Sequence, residues 1–397
     1  MSALDEKLIR DVVSEVMQRL GGAAAPAAAT APASACGCDA RPRPSGGGII
    51  VRSGRNGVFQ DANEACAAAH DGFLQLREKG VAARAKVVEI VKTLAEANAE
   101  EWGRIELEET KIGRLDHKIE KLKIIKLVPG VEWLNPYARS GDHGITLEEY
   151  TPFGVVAAIT PSTHSIPTLS GNIVNMVAAG NAVVFNPHPG AAKCAALAVS
   201  EYNKAIEREV GIRNLIAIIE HPTLDSFNAI CRHEAVRLLC VTGGPGVVKA
   251  AMQSGKRAIC AGPGNPPVLV DDTCCLKRAA RDIIQGAAYD NNLLCIGEKE
   301  VFVLDSIADR LMQFMSENGA VKLNPAQLDR LTKAAFIFKE GQGAGCPHAT
   351  VNRELVGKDA AVLAKAAGVD VRPDTQLLFA ETDASHPFVQ EEQMMPM

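Results

Sequence analysis

The chain has 397 residues, which at about 150 residues per domain predicts two or three domains. Its 47% apolar and 22% charged residues exclude a wholly disordered protein. The net charge of −5 gives no overall attraction to nucleic acid or to an anionic membrane. An acidic start and the lack of a long apolar stretch predict a soluble cytoplasmic protein that neither spans a membrane nor is secreted. Eleven scattered cysteines predict free thiols.

Residues 1–20 predict a detached amphipathic helix, because apolar residues recur there at steps of three and four with charged residues between them. Residues 21–48 are rich in Ala, Pro and Gly and predict a flexible linker. A short helix on a long linker buries its apolar stripe poorly on its own domain, so we expect it to dock on another protein. Docking back onto this chain is the alternative. Cys36 and Cys38 in the linker form a lone pair and predict no metal site.

The rest of the chain predicts an α/β fold. Helical periodicity runs over 61–79 and again over 81–109. Beyond Tyr150, short apolar runs alternate with segments of helical length, which is typical of a parallel sheet covered by helices on both faces. The predicted strands are Val155–Thr160, Ala182–Phe185, Leu215–Ile219, Val236–Thr242, Pro267–Val270 and Val301–Leu304.

A glycine-dense turn follows the strand Val236–Thr242. Gly243, Gly244 and Gly246 there precede a helix, and such a turn lets backbone N–H groups approach a phosphate at a helix N-terminus. Lys249 stands where the third glycine of the dinucleotide fingerprint is expected, so the motif is incomplete. A tight turn without a ligand is therefore an equal alternative.

Three further loops carry polar or reactive side chains. Ile159–Thr168 and Phe185–Gly190 follow predicted strands, where open α/β sheets form their crevice. His164 lies in the first of these loops, although helix capping also explains such a polar cluster. Tyr289–Glu298 places Cys295 after an Asn-rich turn; a buried structural cysteine is the alternative.

Six motifs, in this order, resemble the aldehyde dehydrogenase superfamily and, within it, the coenzyme-A-acylating branch of bacterial microcompartments. They are TPSTHS, NPHPGA, TGGPG, AGPGNPP, NNLLCIGE and EEQMMP, and the resemblance runs from about Val51 to Met397. It implies a Rossmann-like NAD-binding domain over residues 49–262 and an α/β catalytic domain over 263–397. Because related chains continue beyond this point, we expect the catalytic domain to be truncated at Met397.

The resemblance also implies the site residues. Cys295 matches the nucleophile that forms a thioester, and His164 stands where many relatives have the Asn that donates to the substrate oxyanion. Coenzyme A is expected to enter by the channel that NADH vacates, so no separate CoA-binding residues are assigned. A solvated surface charge is the alternative for Glu392. The implied NAD contacts are Thr160, Pro161, Ser162, Pro187, His188, Thr242, Gly243, Gly244 and Glu392.

The resemblance implies reversible, NAD-dependent oxidation of a short-chain aldehyde to acyl-CoA, because Cys260 stands where hydrolytic relatives carry the glutamate that activates water. One alternative is hydrolysis to the free acid, with Asp290 or Glu298 as the base. Another is a catalytically impaired cargo protein. Residues 1–20 resemble an encapsulation peptide, which implies binding to a shell or cargo protein inside a bacterial microcompartment. We also expect a homo-oligomer.

Overall fold

The computed structural model describes residues 54–339 and 348–397, so the predicted helix 1–20 and linker 21–48 lie outside the described residues. None of the helices in these two ranges has the length and apolar content needed to cross a bilayer. The first elements are β1 (Val58–Phe59), α1 (Ala62–Ala97), α2 (Ala99–Thr110), α3 (Leu115–Lys123), β2 (Tyr137–Gly141), β3 (Gly144–Glu148), β4 (Val155–Thr160), α4 (Ser165–Ala178), β5 (Ala182–Pro187), α5 (Ala192–Val210) and β6 (Ile216–Ile219).

The described chain continues with a second series of short strands and helices, in which the turn Tyr289–Asn292 precedes β10. These elements are α6 (Leu224–Arg232), β7 (Val236–Thr242), α7 (Pro245–Met252), β8 (Arg257–Ala261), β9 (Pro267–Val270), α8 (Leu276–Ala288), β10 (Glu300–Val303), α9 (Asp305–Glu317), β11 (Val321–Lys322), α10 (Pro325–Ala335), β12 (Phe336–Lys339), β13 (His348–Val351), α11 (Ala360–Ala367), β14 (Leu378–Phe379) and α12 (Pro387–Gln390).

A six-stranded parallel sheet forms the centre of the fold, with strand order β1-β6-β5-β4-β7-β8. Strands β4, β5 and β6 are buried along their whole length, as their continuous apolar sequences predict. The chain proceeds from β4 to β5 and β6 on one side, and then adds β7 and β8 on the other. The order therefore reverses between β4 and β7, and open α/β sheets bind ligands at the carboxyl ends of the strands beside such a reversal.

The predicted helical segments are present, with one additional interruption. Helix α1 is broken at Gly80, whose φ of 73° and ψ of −162° are not helical, which matches the predicted boundary between 61–79 and 81–109. The second predicted segment is divided at Asn98. The Asn98 side-chain amide donates to the carbonyl of Leu94 (2.8 Å) and so ends the first helix.

Helix α2 caps two of the helices that follow the sheet strands. Glu106 accepts hydrogen bonds from the N–H groups of Ser165 (3.4 Å) and Ile166 (3.0 Å), at the start of α4. Glu109 accepts from the N–H groups of residues 193 (3.0 Å) and 194 (2.7 Å), at the start of α5. A carboxylate at a helix N-terminus satisfies free N–H groups and interacts favourably with the helix dipole. Both helices are thus fixed to α2.

The second half of the chain contains smaller sheets and its own apolar cores. Strands β9 and β10 pair in parallel, as do β11 and β14, whereas β12 and β13 are antiparallel. One core extends over the large sheet and its helices, and two others lie within residues 268–379 and 321–397. The sequence does not predict β8 or the exposed hairpin β2–β3.

Substitution of Glu106 should destabilise the fold strongly. Glu106→Gln leaves the buried Lys118 ammonium, 2.9 Å from the carboxylate, without its counter-charge, and we expect a loss of about 3–5 kcal/mol in the free energy of unfolding. Glu109→Gln removes only a charged cap, for an expected loss of about 1 kcal/mol. Urea unfolding, followed by the fluorescence of the buried Trp102 in α2, measures both. The exposed Glu108→Gln on the same helix is the control, and equal losses in all three variants would contradict the assignment.

Candidate active site

A cavity of about 740 Å³ lies at the carboxyl edge of the large sheet. Its lining comes from the segments that follow β4, β5, β6, β7 and β8, from the C-terminal end of α3, from residues 289 and 293–296, and from residues 392 and 394. The structure brings all the sequence-predicted site residues to this one cavity, although it does not assign their roles. They are Thr160, Pro161, Ser162, His164, Pro187, His188, Thr242, Gly243, Gly244, Cys295 and Glu392.

His164 is the residue immediately before α4. Its Nδ1 is buried and has no hydrogen-bond partner in the described chain. A buried N–H without an acceptor costs more than an unused lone pair, so this environment favours the tautomer with its proton on Nε2. Burial, followed by the positive charges of Lys121 and Lys118, holds the pKa of His164 well below its usual value. The imidazole is therefore neutral near pH 7 and has one hydrogen bond to donate.

Cys295 is exposed in the cavity, shortly after an unusual turn. Asp290, Asn291 and Asn292 have φ values of 48°, 54° and 58°, so three consecutive non-glycine residues adopt the left-handed conformation. Each such residue costs roughly 1–2 kcal/mol relative to the right-handed region. Surrounding contacts must therefore hold this turn, and through it they determine where Cys295 lies.

Helix α3 supplies one set of these contacts. The buried carboxylate of Asp290 accepts hydrogen bonds from the Lys121 ammonium and from the Arg114 backbone N–H (2.8 Å). The backbone N–H of Asp290 donates to His117 Nδ1 at 2.8 Å, and the His117 ring stacks on Tyr289 at 4.3 Å between centroids. Side chains and backbone of α3 thus fix the first two residues of the turn.

Lys299 supplies the second set. Its ammonium donates to Asn292 Oδ1 (2.6 Å) and to the carbonyls of Leu294 (2.8 Å) and Gly297 (3.4 Å), on either side of Cys295. Three acceptors require three N–H donors, so this geometry fits the protonated amine. Burial lowers the pKa of Lys299, and the nearby acidic groups, first among them Glu392, oppose that shift. A buried cation therefore holds the loop that carries Cys295 through neutral oxygens.

The glycine-dense turn leaves open space in front of a helix N-terminus. Helix α7 has Gly244 as its N-cap and no side-chain cap. A Cβ atom built on Gly244 or Gly246 would meet no protein atom within 4 Å. The uncapped N–H groups and this free space fit the pyrophosphate of a dinucleotide. The buried Thr160 hydroxyl has no hydrogen-bond partner in the described chain. Thr160 lines the cavity, so a bound ligand can supply that partner.

Within the described residues, Glu392 is the one carboxylate among the cavity-lining side chains. Burial raises its pKa, while Lys299 and the N–H of Gly264 oppose the shift. Asp290 and Glu298, the two bases considered for hydrolysis, do not line the cavity. Asp290 is paired with Lys121, and Cys260 contributes no carboxylate.

Sequence reasoning misses three residues of this site. Lys118, Lys121 and Lys299 are 8% exposed or less, yet lysines on a charged helix or beside glutamates normally indicate solvent-exposed surface. The nearest available signal is the spacing of Lys118 and Lys121, which places them on one face of α3, although further lysines at 123 and 126 conceal it.

Comparison with known proteins identifies relatives of this chain by sequence and by structure. The profile of the Aldehyde dehydrogenase family matches residues 43–333. The acetaldehyde dehydrogenase (acetylating) EutE of Salmonella typhimurium is 41% identical over 343 residues, which cover 86% of this chain and 72% of that protein. The propionaldehyde dehydrogenase from the Clostridium phytofermentans fucose utilisation bacterial microcompartment has a TM-score of 0.79 and 42% identity, covering 86% of this chain and 76% of that one.

A further solved structure carries ligands. It is the Rhodopseudomonas palustris propionaldehyde dehydrogenase with bound CoA and an acylated cysteine, with a TM-score of 0.78 and 39% identity over 86% of this chain and 76% of that chain. The family match covers more than half of the sequence, and these similarities confirm the predicted aldehyde dehydrogenase-like α/β fold. The chain belongs to the aldehyde dehydrogenase family.

Proposed function

We propose that this chain oxidises a short-chain aldehyde to an acyl-CoA, with NAD as the hydride acceptor and Cys295 as the nucleophile. One observation carries the proposal: an exposed cysteine shares a cavity with an uncapped, glycine-lined helix N-terminus and a neutral histidine. The relatives support it, since they act on acetaldehyde or propionaldehyde and one holds CoA beside an acylated cysteine.

In the first step, the Cys295 thiolate adds to the aldehyde carbonyl, and the carbonyl electron pair moves to oxygen. The resulting alkoxide requires hydrogen-bond donors placed in advance. We assign this role to the backbone N–H of Cys295 and to the neutral imidazole of His164. Because His164 is uncharged, its contribution is one directed hydrogen bond rather than a proton transfer.

Collapse of the alkoxide expels hydride and leaves a thioester on Cys295. NAD, when bound, accepts that hydride. Thr242, Gly243 and Gly244 would hold its pyrophosphate at the start of α7, and Glu392 its ribose hydroxyls. Thr160, Pro161, Ser162, Pro187 and His188 would form the rest of its contact surface, on the loops after β4 and β5. The same channel would then admit CoA, whose thiolate attacks the thioester and releases Cys295.

We also propose the domain organisation and cellular location that the sequence predicts. A boundary near residue 262 separates the core of the large sheet from the two cores that follow it. Residues 1–20 would direct the enzyme into a bacterial microcompartment by docking on a shell or cargo protein, which is consistent with the microcompartment origin of one relative. We further expect a homo-oligomer.

Removal of the thiol or of CoA should separate acylation from hydrolysis. Cys295→Ala should abolish NADH formation from aldehyde. Without CoA, the unsubstituted enzyme should produce about one NADH per active site and then stop, because no base activates water against the thioester. Stopped-flow absorbance of NADH measures both, with the exposed Cys275→Ala as a control that should retain activity. Sustained NADH formation without CoA would contradict the proposal.

Substitution of His164 should test its role as a donor. His164→Asn keeps a neutral side-chain N–H and should retain most of kcat. His164→Ala removes the donor and should lower kcat by about 10²- to 10³-fold. Steady-state kinetics with saturating NAD and CoA measure the difference. His143→Asn, in the exposed hairpin, is the matched control. Equal activity of the Ala and Asn variants would contradict the assignment.

The targeting role of residues 1–20 can be tested apart from catalysis. A reporter fused to residues 1–20 should co-purify with microcompartment shells, because its apolar stripe supplies the docking surface. Replacing Val12, Val13 and Val16 by Asp should abolish that association. Deletion of residues 1–20 should leave aldehyde oxidation by the purified enzyme unchanged. Equal recovery of the intact and substituted fusions would contradict docking through the stripe.

A further inference from the structure

Helix α3 carries two buried lysines, each paired with a buried carboxylate. The side chains of Lys118 and Lys121 are each 1% exposed, and those of their partners Glu106 and Asp290 are fully buried. Three residues apart on a helix, the two lysines lie on the same face. Buried ion pairs contribute little net stability compared with apolar packing, so two of them on one short helix require another explanation.

The first pair fixes the loop that carries His164. Lys118 donates to Glu106 Oε1 at 2.9 Å, and both oxygens of that carboxylate accept backbone N–H groups of Ser165 and Ile166. These are the two residues that directly follow His164. The ammonium of Lys118 therefore acts on the imidazole through one carboxylate and one peptide segment.

The second pair fixes the loop that carries Cys295. Lys121 donates to Asp290, the first left-handed residue of the turn that leads to the nucleophile. Lys121 also lines the cavity, together with His164 and Cys295. The two oxyanion donors, which are 131 positions apart in the sequence, are thus connected to one face of one nine-residue helix.

We propose that Lys118 and Lys121 are positioning residues, which fix the His164 and Cys295 loops relative to each other and direct positive charge at the His164 imidazole so that it stays an uncharged donor. This inference rests on the proposed function, because it assumes that both donors bind one substrate oxygen. A displacement of about 1 Å between them would be enough to lower the rate by about 10²-fold.

The charges around His164 support this role. Burial is the main cause of the lowered pKa of His164, and the positive charges of Lys121 and then Lys118 lower it further. Burial lowers the pKa of Lys121, and its pairing with Asp290 opposes that shift, while Lys118 is paired with Glu106. The other titratable groups that line the cavity are His188, Tyr289, Cys295 and Glu392, while Glu106 and Asp290 lie buried outside its lining.

An NMR titration of the full chain tests the inference directly. The Cε1–H resonance of His164 is assigned by its loss in His164→Asn, and its midpoint is measured with neither aldehyde nor CoA present. In the unsubstituted protein we expect a midpoint well below the ordinary 6.5. The double variant Lys121→Met/Asp290→Asn removes both charges yet keeps an acceptor for the Arg114 N–H. We expect its midpoint to rise towards 6.5, and its kcat to fall by about 10²-fold with an unchanged KM for NAD.

Two variants control the experiment. Lys121→Arg keeps the charge and the pairing, so its midpoint should stay low and it should retain most of kcat. Lys123→Met, exposed on the same helix, should change neither. A folded double variant with an unchanged midpoint would overturn the inference. A midpoint near 6.5 in the unsubstituted protein would also overturn the inference. This measurement does not require the double variant to fold. A low midpoint in a protein that forms no acyl-CoA would instead refute the proposed function and leave the electrostatic role of the lysines intact.

Discussion

The buried ion pair between Lys121 and Asp290 is the interaction on which the site depends. Asp290 begins three consecutive left-handed residues, whose conformation costs roughly 1–2 kcal/mol each, and this turn positions the exposed Cys295. The pair is not expected to add much net stability, because desolvation offsets most of the attraction between two buried charges. Its effect is geometric: one carboxylate joins α3 to the turn through a side chain and a backbone N–H. The strain is therefore held by the fold rather than by the loop itself.

A second constraint decides where an anionic ligand can bind. Helices α4, α5 and α7 follow strands β4, β5 and β7, respectively, and each presents free N–H groups at its start. Glu106 and Glu109 each already accept two N–H groups at the starts of α4 and α5, so those groups are not available to a phosphate. Helix α7 has no side-chain cap, and open space lies in front of Gly244. Of these three helices, α7 is therefore the one whose start is open to an anion.

Local sequence predicts those parts of the structure that local forces determine. Continuous apolar runs give β4 and β7 with their observed bounds, and Gly80 gives the break in α1. Strand β8 (Arg257–Ala261) is short and lies at the edge of the sheet, where its residues alternate between exposed and partly buried, so it lacks the long buried run of β4. The cavity residues are found through ordered motifs and not through composition. Neither local patterns nor motifs identify Lys121 as a buried residue. Its partner Asp290 is 169 positions away, and a lysine on a polar helix normally remains in solvent.

The placement of charges around Cys295 explains why acyl transfer to a thiol does not require a site that excludes water. Cys295 is exposed, so a thioester formed there would be accessible to water as well as to CoA. Three carboxylates lie near this site, and none is assigned as a base for that water: Asp290 is paired with Lys121, Glu298 lies outside the cavity lining, and Glu392 is proposed to hold the NAD ribose. Without a positioned base, water loses about 10²- to 10⁴-fold in rate, whereas a thiolate needs no base at the moment of attack. In the proposed reaction, selectivity for the thiol thus follows from charge placement rather than from exclusion of solvent.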